Sequence, residues 1–383
     1  MKTFDYAIVG AGVFGAWTAH FLSRAGASVA LLDAYGPASS RASSGGETRV
    51  IRMGYGPDEL YTRWAMRSLP LWREFSERVG RKFFHQSGVL WLSNDADAYL
   101  KSLYDVLGRA GVMREKLGAK EIRERWPQLH FDDVTWGVLE PESGMLMARN
   151  SVQALVAELI DSGVEYRTVA VLSPEKPGKL AEIETSTGEA ISAGTFVFAC
   201  GPWLPKIFPE LLSERVFPTR QEVFFLGAPA GRADFRPPQM PVWLHRTHPD
   251  LPYALPEMEN RGFKIAFDRH GEAFDPDTDS RMVASSSIER LRLYLKKHIP
   301  ALESAPILET RVCQYENTWN GDFLIDRHPE HENVWIAGGG SGHGFKHGPA
   351  LGEYLSSRIL RDIPAEPRFL LAAKQTVQQR AVY

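Results

Sequence analysis

Three glycines near the start of the chain have the spacing of a dinucleotide-binding turn. Gly10, Gly12 and Gly15 lie between an apolar segment predicted to be a strand and a segment with helical periodicity. In such a turn the first glycine allows the tight bend, the second lets the backbone approach a pyrophosphate, and the third lets helix and strand pack closely. The N-terminus of the following helix offers unpaired N–H groups and a partial positive charge to the phosphates.

An acidic residue stands where this motif requires one. Asp33 closes the second predicted strand, and its carboxylate can accept hydrogen bonds from the ribose hydroxyls of an adenosine. A purely structural glycine turn is the alternative. The motif does not separate NAD from FAD, but its position at the extreme N-terminus favours FAD, and the carboxylate argues against the 2′-phosphate of NADP.

Two more stretches combine small residues with cations. In residues 43–52 the small side chains permit close approach to a flat ring, and Arg49 and Arg52 can supply positive charge to a flavin or to a substrate carboxylate. A solvated basic loop is the alternative. Residues 338–346 form a glycine-rich segment between a predicted strand and a predicted helix. Such a loop can place positive potential beside a flavin and stabilise its anionic reduced ring, although an ordinary glycine turn has the same composition.

Composition sets the broad class. A chain of 383 residues predicts two domains, and a net charge of −3 gives no reason to expect nucleic acid or an anionic membrane as partner. No run of about 18 apolar residues is present for a membrane span, and no secretory signal is evident, so a cytoplasmic enzyme is predicted. Cys200 and Cys313 are predicted to be unpaired thiols in a reducing compartment rather than one disulfide.

Two histidine pairs have spacings seen in metal sites. Neither His245 with His248 nor His343 with His347 is accompanied by a convincing set of further ligands. We therefore predict no metal.

Strand–glycine turn–helix units at both ends of the chain predict an α/β fold. The expected architecture is a doubly wound, Rossmann-like FAD-binding domain of discontinuous segments, joined to an α+β substrate domain with a mixed, largely antiparallel sheet. Many prolines between residues 216 and 312 favour strands over helices there. The predicted segments are 1–86, 146–215 and 316–383 for the FAD-binding domain, and 87–145 and 216–315 for the substrate domain.

The chain resembles the monomeric sarcosine oxidase family, which belongs to the D-amino-acid-oxidase-like flavoenzymes. The likeness runs nearly end to end. Besides the stretches above, it is carried by residues 140–144 (EPESG), 262–264 (GFK), 274–278 (FDPDT), 312–315 (VCQY) and 326–331 (DRHPEH). The resemblance implies an FAD-dependent oxidase of a secondary amine or an N-methyl or cyclic amino acid. A hydride equivalent would pass to flavin N5, the imine would hydrolyse, and O2 would be reduced to H2O2. It also implies a monomer with a small-molecule substrate.

The resemblance further assigns roles to individual residues. Cys313 resembles the cysteine that forms a thioether with the flavin, which implies covalent FAD; a buried inert thiol is the alternative. Arg52 and Lys346 resemble the pair that holds the substrate carboxylate. Arg49 and Lys264 resemble cations that flank the flavin, and Lys264 would promote the reaction of the reduced cofactor with O2.

Other positions resemble or depart from the substrate pocket of the family. Tyr253 and Tyr315 match aromatic side chains that line it. Gly45 and Asp268 stand where sarcosine-oxidising members carry histidines, which indicates a roomier, more acidic pocket and a larger or more basic amine. The predicted catalytic residues are Lys264, Arg49, Tyr253 and Tyr315; the predicted substrate ligands are Arg52, Lys346, Tyr253 and Asp268; the predicted cofactor-binding residues are Gly10, Gly12, Val13, Phe14, Gly15, Asp33, Ser43, Thr48, Arg49, Val169, Gly201, Trp203, Cys313, Gly340, Gly342, His343, Gly344 and Lys346.

Two alternative functions stay open at this point. One is a flavin dehydrogenase of the same fold that passes electrons to a carrier protein or a quinone, and Lys264 favours the oxidase over it. The other is a flavin-binding subunit of a larger complex, which the full set of active-site residue types disfavours.

Overall fold

The computed structural model of the chain describes residues 2–377. Residues 1 and 378–383, which belong to predicted FAD-binding segments, lie outside this range. The strands of the described part are β1 (Thr3–Val9), β2 (Val29–Asp33), β3 (Thr48–Ile51), β4 (Phe84–Gln86), β5 (Val89–Ser93), β6 (Glu115–Gly118), β7 (Trp136–Glu140), β8 (Gly144–Met147), β9 (Glu165–Thr168), β10 (Glu182–Glu184), β11 (Ala190–Phe198), β12 (Val216–Leu226), β13 (Val242–His245), β14 (Pro252–Leu255), β15 (Phe263–Phe267), β16 (Ile307–Thr318), β17 (Leu324–Arg327) and β18 (Val334–Gly338). The helices are α1 (Val13–Arg24), α2 (Glu59–Arg78), α3 (Ala98–Arg109), α4 (Ala119–Arg125), α5 (Ala148–Asp161), α6 (Leu204–Ile207), α7 (Pro209–Leu212), α8 (Ser285–His298) and α9 (Gly348–Arg361).

The first sheet is mostly parallel and joins the two ends of the chain. Its order is β17-β18-β11-β1-β2-β9, with β10 added at β11. The pairs β1/β2, β1/β11, β2/β9 and β11/β18 are parallel. Strands β1 and β18 both flank β11 and run parallel to it. The N-terminal glycine turn and the C-terminal glycine loop therefore both follow the carboxyl ends of their strands, on the same side of the sheet. This arrangement confirms the predicted doubly wound α/β fold.

Helices α1 and α9 pack together against this sheet. Phe14, Trp17 and Leu22 of α1 are buried, as the helical spacing predicted. The backbone of α9 comes very close to α1, because a Cβ at Gly352 would lie 2.6 Å from the carbonyl carbon of Trp17. The first and last helices therefore form one layer that supports both glycine segments.

The second sheet is mixed and mainly antiparallel. Its order is β16-β12-β15-β14-β13-β5-β7-β6, and among these pairs only β13/β5 is parallel in the described part of the chain. A small third sheet, β3-β8-β4, lies beside it. Two of the predicted domain boundaries, after residues 145 and 315, fall inside strands β8 and β16. The long strand β16 continues from the second sheet directly towards the first.

One helix, α8, lies between residues 216 and 312, where the prolines favoured strands over helices. Helix α8 buries Leu291, Tyr294, Leu295 and His298 on one face. The prolines of this region lie outside the helix, so they do not interrupt it. Within residues 2–377, no helix combines the length and the apolar composition that crossing a bilayer demands.

Candidate active site

A cavity of about 360 Å³ opens where the parallel strands of the first sheet end. The carboxyl ends of parallel strands are where open α/β sheets bind nucleotides. Predicted cofactor-binding residues that line this cavity are Gly10, Gly12, Val13, Phe14, Asp33, Ser43, Arg49, Val169, Gly201, Trp203, Cys313, Gly340, Gly342 and Gly344. Residues far apart in sequence thus meet around one elongated space.

The turn before α1 has the close packing that the glycine spacing predicts. Gly10 has φ +108°, and a Cβ there would lie 2.3 Å from the carbonyl oxygen of Ala199. A Cβ at Gly15 would lie 1.8 Å from the carbonyl oxygen of Gly10, so Gly15 packs the helix onto the turn and does not line the cavity. At Gly12 the nearest atom to a Cβ would be Ser44 Oγ at 3.5 Å. The space beside Gly12 and the N-terminus of α1 therefore fits the phosphates of a dinucleotide.

Asp33 is held in place by backbone donors at the end of β2. Its Oδ2 accepts from the N–H of Ala11 at 2.8 Å, and its Oδ1 accepts from the N–H groups of Tyr35 and Gly36 at 2.9 Å. Burial raises the pKa of Asp33, and these bonds oppose the rise. The carboxylate thus lines the cavity in a fixed orientation, with about one acceptor lone pair, on Oδ2, left for a ribose hydroxyl.

Cys313 lies at the opposite wall of the cavity, on β16. Both cysteines are free thiols. The Sγ of Cys313 is 3.5 Å from Nη2 of Arg49, which also donates to the carbonyl of Ser43 at 2.7 Å. The thiol therefore borders the large cavity beside a fixed cation.

A second, smaller cavity of about 80 Å³ lies on one face of the second sheet. Side chains two residues apart share a face of a strand, and Lys264, Ala266 and Asp268 extend along β15 in this way. Cys313 and Tyr315 do the same on β16. Residues common to the walls of both cavities are Arg49, Cys313, Tyr315, Ser341, Gly342 and Phe345. The two cavities are therefore neighbours separated by one shared wall.

Arg52 is a buried cation in the small cavity, and Glu140 fixes the backbone behind it. The carboxylate of Glu140 accepts from the N–H groups of Met53 at 2.7 Å and Gly54 at 3.1 Å, and from Nε1 of Trp91 at 2.7 Å. The Arg52 guanidinium stacks on Trp91, at 4.7 Å from the ring centroid, and donates to the carbonyl of Gly54. Burial opposes the charged form of Arg52, while Tyr55, Tyr99 and Glu140 outweigh it and raise its pKa.

Lys346 approaches the same cavity from the C-terminal glycine segment, just before α9. Its Nζ donates to Tyr55 Oη at 2.8 Å and to the carbonyl of His343 at 2.9 Å. Tyr55 Oη is also 2.7 Å from Nε2 of His347. The Tyr55 ring lies under the guanidinium of Arg52, 4.3 Å from its Cζ. Tyr55 thus connects Arg52 and Lys346, two of the cations that line the small cavity.

Lys264 is buried near Arg49, on the floor of the small cavity. Its Nζ donates to the carbonyl of Thr48 at 2.7 Å, which also accepts from Nη1 of Arg49 at 2.8 Å. Burial, followed by the charge of Arg49, places the pKa of Lys264 well below its ordinary value. Thr48 acts through its carbonyl and lines neither cavity.

An acidic and aromatic side completes the small cavity. Tyr315 donates to Oδ1 of Asp268 at 2.6 Å, and Tyr253 lines the same space. Burial and the charge of Asp268 raise the pKa of both tyrosines. The expectation that Gly45 enlarges this pocket is wrong, because Gly45 lines neither cavity and a Cβ there would lie 1.9 Å from the carbonyl oxygen of Ser39.

Several predicted residues are placed differently from expectation. Predicted cofactor-binding residues that do not line the large cavity are Gly15, Thr48, His343 and Lys346. Lining residues that the sequence analysis did not assign include Tyr35, Ser44, Lys206, Asp277 and Glu316. Ser44 is an N-terminal partner of α1, since its Oγ accepts from the N–H of Val13 at 3.1 Å. Asp277 lay in the FDPDT motif, and it accepts from Nε1 of Trp203 at 2.7 Å.

The histidine pairs have other partners. His343 and His347 belong to the Tyr55 network. His245 lies between Tyr294, at 3.0 Å from its Nδ1, and Asp133, at 3.3 Å from its Nε2. In residues 2–377 no group of three or more His, Cys, Asp or Glu side chains is arranged to hold a metal ion.

Comparison with known proteins agrees with this geometry. Residues 5–358 match the family described as DAO, FAD dependent oxidoreductase, and the chain therefore belongs to that family. Enzyme class and FAD dependence, predicted from the motifs, are confirmed. The cradle formed by the turn of Gly10 and the N-terminus of α1 fits this cofactor.

Individual relatives show which members of this family the chain is similar to. The chain is 30% identical over 370 residues to the monomeric sarcosine oxidase of Bacillus sp. (strain B-0618), with 93% of this chain and 92% of the relative covered. It is 30% identical over 374 residues to the N-methyl-L-tryptophan oxidase of Salmonella heidelberg (strain SL476), with 94% and 96% covered. The solved structure of L-proline dehydrogenase from P. horikoshii shares the fold, with a TM-score of 0.83, 23% identity and 96% of each chain covered. The predicted resemblance to sarcosine oxidases is thereby confirmed.

Proposed function

We propose that this protein oxidises the C–N bond of an amino acid with a secondary or cyclic amine and uses O2 as the electron acceptor. The single observation that carries the proposal is the position of Arg52 and Lys346. Both cations line one small cavity, and that cavity shares a wall with the dinucleotide cavity. A carboxylate held there would place the rest of a small amino acid against the shared wall.

Arg52 and Lys346 would hold the substrate carboxylate through charge-assisted hydrogen bonds. When bound, FAD supplies a two-electron acceptor for the hydride equivalent that leaves the α-carbon. Fixing the carboxylate orients the reacting C–H bond and turns an encounter into a near-attack geometry. The amine loses two electrons and two protons, and water then hydrolyses the imine to a carbonyl compound and the free amine.

The cations of the site also act on the substrate's own charge. An amine gives up a hydride equivalent only when its nitrogen carries a lone pair, so it must bind unprotonated. Arg49, Arg52 and Lys346 together disfavour an ammonium group nearby and would lower the pKa of the bound amine. Asp268 acts in the opposite direction at its own end of the cavity, where it accepts a hydrogen bond from Tyr315.

O2 as acceptor is supported by the buried cation next to the shared wall. Reduction of O2 begins with the development of negative charge, which Lys264 and Arg49 can stabilise. The competing function is a dehydrogenase that passes electrons to a carrier. Peroxide formed per substrate consumed, measured in air with and without an artificial electron acceptor, separates the two. A ratio near one supports the oxidase, and turnover only with the added acceptor contradicts it.

Covalent attachment of FAD through Cys313 is part of the proposal. The thiol borders the large cavity, lies 3.5 Å from a guanidinium nitrogen of Arg49, and is thus placed to reach a flavin bound there. The test is acid precipitation of purified protein. Yellow colour should stay with the pellet for the parent protein and for Cys200→Ser, and should move to the supernatant for Cys313→Ser. Colour released from all three proteins contradicts covalent attachment.

For the substrate we propose an N-methyl or cyclic amino acid other than sarcosine itself. Asp268 places a carboxylate among the aromatic side chains of the small cavity, which favours a more basic amine than sarcosine. Steady-state kinetics on a panel of N-methyl and cyclic amino acids test this. A clear preference for sarcosine contradicts it.

We further propose that the protein acts as a cytoplasmic monomer. Size-exclusion chromatography with light scattering tests the monomeric state, and cell fractionation tests the location.

A further inference from the structure

Glu316 is a buried carboxyl group in the wall of the large cavity. It lies on β16 directly after Tyr315 and is 6% exposed. Side chains of a strand alternate between faces, so Glu316 points away from the small cavity and towards the first sheet. Its Oε1 is buried and has no hydrogen-bond partner among residues 2–377. A buried oxygen without a partner is destabilising, which makes a bound ligand its natural partner.

Two glycine turns leave room for this carboxyl group. A Cβ at Gly338 would lie 2.3 Å from Oε1 of Glu316, so a side chain at the end of β18 would displace it. On the other side, a Cβ at Gly201 would lie 4.0 Å from Oε2. The same Cβ at Gly338 would also lie 2.3 Å from Cδ1 of the apolar Leu204. The carboxyl group is therefore enclosed where β11 and β18 end, between elements that also form the cavity.

The surroundings disfavour the ionised form. Burial raises the pKa of Glu316 to about 7, and the backbone N–H groups of Gly339 and Gly340 oppose the rise. The strand paired with it, β12, presents Pro218 at this register, which carries no charge. The other titratable groups that line the cavity are Cys313 and Tyr315 on β16 itself, and Asp33, Tyr35, Arg49, Cys200, Lys206 and Asp277 elsewhere in the chain.

None of these groups offers a free cation to Glu316. Lys206 is paired with Asp275 at 2.7 Å and Asp277 at 2.6 Å. Burial raises the pKa of Cys200, so its thiol is neutral. Arg49 donates to the carbonyls of Thr48 and Ser43. The carboxylate form of Glu316 thus has backbone N–H groups near it but no free side-chain cation among these groups.

FAD adds negative charge on this side of the cavity. Its pyrophosphate belongs at the N-terminus of α1, where Gly10 packs on the backbone of Ala199, two residues before Gly201. An anion near a buried carboxyl group favours the protonated acid. We propose that Glu316 contacts the bound cofactor as a neutral carboxylic acid and donates a hydrogen bond to one of its oxygen atoms, so that FAD binding takes up one proton from solvent. This inference rests on FAD binding alone and not on the amine or the electron acceptor.

The test measures protons taken up when FAD binds to the full chain. Cys313→Ala serves as the parent, because binding is then reversible. Calorimetric titration with FAD at pH 8.5, in two buffers of different ionisation enthalpy, should show uptake of about one proton per FAD in the parent and about none in the parent carrying Glu316→Gln. Glutamine keeps the shape and an N–H donor but cannot ionise.

The pH dependence of affinity gives a second readout. Glu316 is protonated in the complex but loses its proton in the free protein above neutral pH. FAD affinity of the parent should therefore fall as pH rises above about 7, by up to about tenfold per pH unit for one proton. With Glu316→Gln the dependence should be flat, and with the exposed control Glu182→Gln it should match the parent.

A third variant keeps the test decisive if glutamine disturbs folding. Glu316→Met replaces the acid by an apolar side chain of similar length and removes the donor, so FAD affinity at pH 6 should fall about tenfold, while Glu316→Gln should stay within about threefold of the parent. Proton uptake that persists with Glu316→Gln, or a parent without uptake, overturns the inference. A parent that binds no FAD at any pH would instead overturn the cofactor assignment as well.

Discussion

A substitution at Tyr55 tests how the proposed site for the substrate carboxylate, formed by Arg52 and Lys346, is held together. Its hydroxyl accepts a hydrogen bond from Nζ of Lys346 at 2.8 Å and lies 2.7 Å from Nε2 of His347, while its ring supports the guanidinium of Arg52 at 4.3 Å. The substitution Tyr55→Phe removes the hydroxyl and keeps the ring. Lys346 then retains the carbonyl of His343, at 2.9 Å, as a partner.

The size of the effect follows from these contacts. A hydrogen bond to a charged group contributes about 1.5–3 kcal/mol, and about 1.4 kcal/mol corresponds to a factor of ten. Because one partner of Lys346 and the stacking of Arg52 remain, we expect the lower end of this range. KM for a carboxylate substrate should rise about tenfold with little change in kcat, since the contact is made equally in ground and transition states.

The assay compares two substrates and two variants. Steady-state oxidation of an N-methyl amino acid is measured beside that of the corresponding amine without a carboxylate, which should respond little to Tyr55→Phe. Tyr61→Phe is the matched control, because its hydroxyl donates to Asp322 at 3.0 Å and accepts from the N–H of Phe323 at 3.1 Å. Equal KM changes for both substrates, or for both variants, would refute the assignment of Tyr55 as a positioning residue.

Further predictions concern the buried lysine and the glycine turn. Lys264→Met should slow reoxidation of the reduced protein by O2 at least about 100-fold, while anaerobic reduction by substrate changes far less; stopped-flow absorbance measures both steps, and parallel losses would contradict the role. The pKa of Lys264 is depressed, so its cation exists below that pKa and is lost as pH rises through it. The O2 rate constant should therefore decline with rising pH, with a midpoint below the ordinary lysine value of about 10.4. Gly15→Ala should lower the free energy of unfolding by about 3 kcal/mol or more and weaken FAD retention, because its Cβ would lie 1.8 Å from the carbonyl oxygen of Gly10. Thermal unfolding checks this against Gly118→Ala, where φ is −80° and the nearest atom to a Cβ would be Glu121 Oε2 at 3.8 Å.

Local patterns were sufficient to predict the first sheet and its glycine turn. The apolar segment, the glycine spacing and Asp33 are all encoded within 33 consecutive residues, and the structure forms β1, α1 and β2 from them. Helix α8 was missed although its pattern is also local. Leu291, Tyr294, Leu295 and His298 follow helical spacing, but the prolines around this segment were given more weight than its periodicity.

The supports of the site were harder to predict because they join distant residues. Glu140 fixes the backbone of Met53 and Gly54 from 86–87 residues away, and Tyr55 meets Lys346 across 291 residues. The resemblance pointed to the EPESG stretch without a reason for it. For Gly45, the resemblance suggested extra space, whereas the structure shows a backbone contact that excludes any side chain.

The C-terminal glycine segment, residues 338–346, contributes residues to the walls of both cavities. Gly340, Ser341, Gly342 and Gly344 line the large cavity, and Lys346, two residues after Gly344, lines the small cavity in which we propose that the substrate carboxylate binds. Because the two positions are so close along the chain, a displacement of one end of this segment is expected to displace the other. We therefore expect FAD binding to strengthen binding of the amino acid substrate. The protein without FAD should bind that substrate weakly.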